Sequence, residues 1–235
     1  MSAEPVRFHL DPRCPWCWQT SKWVRTLARL NVIDVTWGVF CLEVQNFAKP
    51  VEEFDESRSV SAPSLRTLVA IRRAEGQAAA GRFYQAIGTR YFDGQEPLGD
   101  AATIEAALVD AGLDPTWCAT ALGDPTTWNV VMAEHQAIRT DTRSFGVPTL
   151  RLDGGEGPAI FGPVISNEPA SDEEAVKLWE HVSWLVRYEN FSELKRDRTV
   201  QPDLAYWRTA AAARKAAAAA AGDAGGAGGA GAEKP

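Results

Sequence analysis

Cys14-Pro15-Trp16-Cys17 is the stretch whose residue types and spacing can do chemistry. Two thiols three residues apart can close a disulfide, or they can form half of a zinc site. A structural zinc needs two further ligands at motif spacing. Cys41, Cys118, His9, His135 and His181 remain, and none of them forms a second spaced pair. A dithiol/disulfide couple is the reading that uses both cysteines, and it calls for no metal and no flavin.

A thiol attacks only as thiolate, and the N-terminus of a helix favours negative charge. Cys14 falls at the start of a helical pattern, and Pro15 suits the first helical position, where a missing N–H costs nothing. Cys17 lies one turn deeper, at the head of that helix's apolar stripe. The expectation is one accessible sulfur, Cys14, and one sheltered sulfur, Cys17. No Asp or Glu sits in the first turn. Arg13 is a candidate for tuning the thiolate. Asp11 would oppose the thiolate if it lies close, or would serve as proton acceptor for Cys17. His9 alternates with core positions on the preceding strand and reads more as a structural histidine than as a base. Trp16 is placed to gate the thiol or to stack a flat substrate. Asn46 could hydrogen-bond a ligand or could simply turn the chain. Cys41 and Cys118 read as small buried hydrophobes.

The elements around this stretch follow from periodicity. Val6, Phe8 and Leu10 alternate with polar residues as a strand that Asp11-Pro12 ends. Pro15 to Leu30 has helical spacing, with Cys17, Thr20, Ser21, Val24, Leu27 and Ala28 as its stripe. Ile33, Val35, Trp37 and Val39 alternate again. Strand, crossover helix and strand make a βαβ unit with a parallel pair. From Pro63 to about Thr140 the pattern is helical throughout. One helix ends at Gly112, and Asp114-Pro115 and Asp124-Pro125 each read as a helix start. Strands return at Pro148 to Leu152 and at Ala159 to Phe161, joined by a Gly-rich turn. Ser171 with Glu174 makes a capping box for a last helix. Tyr188 to Trp207 reads as a segment wrapping the surface. The division expected is 1–50 and 146–208 as two parts of one α/β domain, 51–145 as an inserted helical subdomain, and 209–235 as a disordered Ala/Gly-rich tail.

The chain has 235 residues, 23% of them charged, and a formal net charge of −7. That charge disfavours nucleic acid and anionic membrane as partners. The N-terminal stretch has neither a basic patch nor an apolar run, so a cytoplasmic location is expected. In that compartment lasting structural disulfides are rare and redox-active ones are the rule.

Asp11-Pro12-Arg13-Cys14-Pro15-Trp16-Cys17-Trp18, the helical insertion, Gly146-Val147-Pro148-Thr149 and Phe161-Gly162-Pro163-Val164 together resemble the DsbA-like branch of the thioredoxin superfamily. Within it the chain is most similar to the actinobacterial mycothiol-dependent nitroreductase family, from about Val6 to Leu204. Phe161 to Ser166 and Glu193-Leu194-Lys195-Arg196 add to that likeness. The resemblance implies a thioredoxin-like fold (βαβ…ββα) with the helical insertion before the cis-proline strand. It implies Cys14 as the attacking and Cys17 as the resolving cysteine, with Val147 and Pro148 as a cis pair facing them. It also implies mycothiol as external reductant, and a small electrophilic or disulfide substrate, nitro-aromatic compounds included. A DsbA-like protein disulfide oxidoreductase or isomerase is the alternative, and a homodimer is left open.

Overall fold

The computed structural model describes residues 2–205, 207–209 and 212. The tail expected to be disordered therefore lies outside the described residues, apart from Thr209 and Ala212. β1 (Glu4–Leu10), α1 (Pro15–Arg29) and β2 (Ile33–Val39) form the βαβ unit, with β1 and β2 parallel from Glu4↔Ile33 to Leu10↔Val39. Five α-helices follow: α2 (Leu42–Gln45), α3 (Ala62–Gly88), α4 (Ala101–Asp110), α5 (Trp117–Gly123) and α6 (Pro125–Asp141). β3 (Thr149–Arg151), β4 (Ala159–Phe161) and α7 (Asp172–Arg187) complete the order βαβ…ββα. The sheet runs β2-β1-β3-β4, with β3 antiparallel to β1 and β4 antiparallel to β3.

Local chemistry accounts for most boundaries. Asp124 caps α6, its carboxylate accepting the Thr126 N–H at 2.9 Å, and Pro125 follows at the first helical position. Gly112, at φ +68°, closes α4 as expected. Asp114-Pro115 departs from expectation. Asp114 accepts from the backbone and hydroxyl of Thr116 in a local turn, and α5 begins only at Trp117. α3 is broken at Gly76, whose φ of +86° and extended ψ a side chain would resist.

The central strand β1 buries Val6, Phe8 and Leu10 completely. Burial on α1 is wider than the stripe read from periodicity, because Trp18 and Trp23 are buried as well. Two helical layers explain this. Trp23 meets Trp179 of α7 and donates to the Ala175 carbonyl at 2.9 Å. Trp18 stacks on Phe92 and meets Tyr84 edge-on, so the insertion packs against the other side of α1. Residues 188–203 carry no helix or strand. They are held by Ser166 Oγ donating to the Val200 carbonyl at 2.7 Å, by the Asp203 N–H on Asn167 Oδ1 at 3.0 Å and by burial of Leu204.

Candidate redox site

Cys14 is the N-cap of α1, with extended backbone, and Pro15 sits in the first turn. The sulfur of Cys14 accepts the Cys17 N–H at 3.3 Å, one of the amides a helix start leaves without an internal partner. The same thiol donates to the carbonyl of Val147 at 3.5 Å. The Val147–Pro148 peptide is cis. The two segments, 133 residues apart in sequence, thus meet at one sulfur atom. The cysteines are unbridged thiols here.

Both sulfurs are buried. Cys14 is 3% exposed and Cys17 fully enclosed, which corrects the expectation that Cys14 stands open. Trp16, between them in sequence, is itself engaged. Trp207 packs edge-on against its ring at 5.5 Å, and Arg198 lies 4.7 Å from the ring centroid. The wrapping segment therefore reaches the residue between the two cysteines.

Burial holds the Cys17 thiol well above its ordinary pKa, and its neighbour Cys14 adds to this; the Asp11 backbone opposes the shift and the Asp11 charge adds to it. Asp11 is fully buried in the turn before Cys14. Its two oxygens accept the N–H groups of Arg13 at 2.8 Å and Leu42 at 2.7 Å. Burial outweighs those bonds and pushes its carboxyl up to about 6. Asp11 also acts on Cys41, whose thiol burial drives up to about 12.

The remaining candidates divide. Arg13 is spent on Glu43 in an ion pair at 3.1 Å, rather than directed at the thiol. His9 is buried with its Nδ1 unpartnered and its pKa lowered to about 3, by burial first and Arg7 second. Its ring fills the place of a side chain at Gly38, and Arg7, Glu134, Arg151 and Arg72 are the charges that act on it. The groups that act on Cys17 are Cys14 and Asp11. Asn46 is exposed at the end of α2, a turn of helix that the sequence reading passed over. Among the described residues no cluster of three or more His, Cys, Asp or Glu could hold a metal ion.

Three positioning features escaped the sequence reading. The Gly162–Pro163 peptide is also cis, with Gly162 at φ +105°. Its Gly162 N–H donates to the Pro148 carbonyl at 2.8 Å, which sets the two cis-proline turns side by side. Thr20 of α1 then donates to the Pro163 carbonyl at 3.0 Å. Ser144 and Thr149 both donate to the Gly146 carbonyl, at 2.7 and 2.9 Å, and pin the first turn from behind. The Phe-Gly-Pro-Val motif carried the signal for the second turn. Ser144 had no signal, because its partners are set by tertiary folding.

A four-stranded βαβ…ββα sheet, with helices between β2 and β3 and a cis-proline turn against the first helix, defines a thioredoxin-like fold with a helical insertion of the DsbA-like kind. Solved structures agree on the fold. Cytosolic disulfide reductase DsbM from Pseudomonas aeruginosa matches at a TM-score of 0.54 and 12% identity, over 77% of this chain and 99% of that one. Probable DsbA oxidoreductase SCO1869 from Streptomyces coelicolor matches at 0.54 and 17%, over 83% and 94%. The chain belongs to the Rv2466c-like family, described as mycothiol-dependent nitroreductase Rv2466c, whose model matches residues 13–196. It is 34% identical to the uncharacterized protein Rv2286c of Mycobacterium tuberculosis, over 83% of this chain and 82% of that protein. It is thus an oxidoreductase of a thiol-dependent family. Among the described residues no helix is long and apolar enough to cross a membrane.

Proposed function

We propose that the protein is a cytoplasmic mycothiol-dependent reductase that works through Cys14 and Cys17 on a flat electrophile, nitro-aromatic compounds included. The observation that carries this is the sulfur of Cys14, held between the Cys17 amide and the carbonyl that precedes cis-Pro148. Cys14 is the attacking and Cys17 the resolving thiol. Trp16, Asn46, Val147 and Pro148 bind the substrate. Trp16 becomes available to it when Trp207 and Arg198 withdraw. The helical subdomain, 51–145, is inserted between the halves 1–50 and 146–208 and supplies one flank of α1.

The reaction balances as two half-cycles. The dithiol gives two electrons and two protons to a nitro group, which leaves as a nitroso compound and water, and a Cys14–Cys17 disulfide forms. Asp11 takes the proton from Cys17 during this closure and passes it to the departing oxygen, which leaves as water. One mycothiol thiolate then attacks the sulfur of Cys14 and expels Cys17, which regains a proton. A second mycothiol thiolate attacks the mycothiol sulfur of that mixed disulfide, frees Cys14 and leaves as mycothiol disulfide.

Steady-state turnover with mycothiol, glutathione and thioredoxin as competing reductants tests this reading. Mycothiol should support the highest kcat/KM. Preference for thioredoxin, with a protein disulfide as the better substrate, would transfer the assignment to a protein disulfide oxidoreductase.

A further inference from the structure

One proton in the cycle needs a route. Cys17 regains a proton when mycothiol expels it, and the carboxyl beside it that can give one belongs to Asp11. Asp11 is fully buried, so the proton has to reach it from solution through other groups. Its two oxygens take the backbone N–H groups of Arg13 and Leu42, and an amide N–H is too weak an acid to hand a proton on. A third neighbour is Ser61, at the start of α3. Its hydroxyl is buried and makes no hydrogen bond, yet it lies close enough to Asp11 to act against the rise in that carboxyl's pKa.

The position of Ser61 makes that free hydroxyl unusual. Ser61 is the N-cap of α3, where a serine oxygen ordinarily accepts an N–H of the first turn, and here it caps nothing. Glu43 of α2 has taken over the task. One oxygen of Glu43 accepts the Ser61 N–H at 2.9 Å and the Ser59 hydroxyl. The other accepts the Val60 N–H at 3.2 Å and the Arg13 guanidinium at 3.1 Å. Ser59 Oγ in turn accepts the Ala62 N–H at 3.0 Å. The helix start is thus served by Glu43 and Ser59, and the Ser61 hydroxyl is released toward Asp11 at the cost of a buried polar group without a partner. Glu43 also leads outward, since its side chain is 17% exposed and that of Arg13, its ion-pair partner, 48%.

We propose that the Ser61 hydroxyl is a proton relay between Glu43 and Asp11, the route by which Cys17 exchanges its proton with solution. A hydroxyl suits the task because it donates and accepts at once. Glu43 takes a proton from water and gives it to the Ser61 oxygen. That oxygen releases its own proton to Asp11, and Asp11 passes one to the Cys17 thiolate. Glu43, Ser61 and Asp11 end as they began, and one proton has moved from water to Cys17. The charged and titratable groups that act on Asp11 or that it acts on are Cys17 of α1, and Cys41 and Glu43 at the entry to α2. Proton affinity rises inward along the route. Burial acts to raise the Glu43 carboxyl, but bonds from Ser59, Ser61 and Val60 and the Arg13 charge outweigh it and hold it below its ordinary value. Asp11 stands at about 6, and Cys17 well above an ordinary thiol. The inference rests on the reading of Asp11 as the proton partner of Cys17, and adds the two residues that connect it to water.

The test follows proton exchange at Asp11 in the reduced full chain with no thiol substrate present, so its outcome is separate from that of the mycothiol assay. Wild type, Ser61→Ala, Ser61→Thr and Glu43→Gln are taken through a rapid pH jump across about 6, where Asp11 titrates. The infrared carbonyl band of protonated Asp11, assigned by its loss in Asp11→Asn, reports the rate. Exchange should slow by about tenfold or more in Ser61→Ala, and also in Glu43→Gln, whose amide cannot carry a proton. Ser61→Thr, which keeps the hydroxyl, should exchange near the wild-type rate. Exchange in Ser61→Ala as fast as in wild type overturns the relay, even if the Asp11 pKa moves, because Ser61 then acts on the charge alone. Thr as slow as Ala overturns it too, since the loss then comes from packing at the helix start. If Ser61→Ala does not fold, Glu43→Gln decides, and wild-type exchange in that variant overturns the route. Absence of the Asp11 band in wild type below about 6 overturns both the relay and the Asp11 step beneath it, and leaves the choice of mycothiol as reductant untouched.

Discussion

The two sides of the cis-proline turn are built on opposite plans. On the side of α1, Cys14, Cys17 and Asp11 are buried, and both Asp11 oxygens are engaged by backbone N–H groups. On the side of α6, Arg139 and Arg143 stand without ion pairs, Gln45 keeps a buried acceptor unmatched, and Phe145 projects into solvent. A reactive dithiol gains from the first plan, since water and stray oxidants are kept off the sulfurs and each proton has a defined place. The second side leaves its charged groups to water. The contrast teaches that the segment before the cis-proline turn is enclosed on one flank and solvated on the other, so that substitutions on the two flanks should differ in effect.

The largest expected effect falls on the enclosed side. Cys14→Ser should reduce turnover by about a thousandfold or more, as removal of a covalent nucleophile does. Cys17→Ser should also halt the cycle. Under oxidising conditions it should accumulate a mixed disulfide on Cys14, read as the mass of one mycothiol added to the peptide that contains it. An adduct on Cys17 in the converse variant, with turnover retained in Cys14→Ser, would reverse the roles.

Asp11→Asn should produce the next largest effect. Closure of the disulfide needs the Cys17 proton to leave, and Asp11 is ionised only above about 6. The rate of dithiol oxidation should rise with pH through about 6 in wild type. In the variant it should lose that limb and drop by about a hundredfold, the usual scale for a lost general base. Stability gives a second readout with a fixed sign. The raised pKa means that the folded state holds the Asp11 proton more tightly than the unfolded chain does. Its contribution is therefore present below about 3.8 and is lost as pH rises through about 6. His9 and His135, lowered by burial to about 3 and about 4, slope the opposite way, so the difference between wild type and variant isolates Asp11. Between pH 3 and pH 7 that difference, from urea unfolding, should shift against wild type by roughly 3 kcal/mol, about two pKa units at 1.36 kcal/mol each. A pH-independent difference would mean that Asp11 does not titrate in this range.

What the sequence disclosed of this arrangement follows the same divide. The strand, the Cys-Pro-Trp-Cys turn and the helix were legible because their signals are local: alternation, a proline at the first helical position and a stripe headed by Cys17. The parallel pairing of β1 and β2 followed from the length of the crossover. The burial of Cys14 was not legible, since the group that meets its sulfur, the Val147 carbonyl, comes from 133 residues away. Nor was the engagement of Arg13 by Glu43, which depends on how α2 turns back after β2. The second cis peptide, Gly162–Pro163, was not legible either, although the Phe-Gly-Pro-Val motif marked its place.

The smallest effect compares packing on the two sides. Gly88 of α3 lies against Trp18, and a Cβ there would stand 2.3 Å from the ring of that residue. Trp18 cannot yield easily, being 3% exposed and stacked on Phe92 at 5.9 Å. Gly88→Ala should therefore cost about 1–3 kcal/mol through overpacking, even though alanine is the better helix former. Phe145→Ala removes a far larger group but one that is mostly in water, and should change stability by only about 0.5 kcal/mol. In thermal melts at one pH, the methyl added at 88 should lower Tm by several degrees, at roughly 2–4 °C per kcal/mol for a chain of this size, and the ring lost at 145 by a degree or so. If Phe145→Ala proves the more destabilising of the two, the turn at 143–145 belongs to the folded core, and the open side of the comparison is not open.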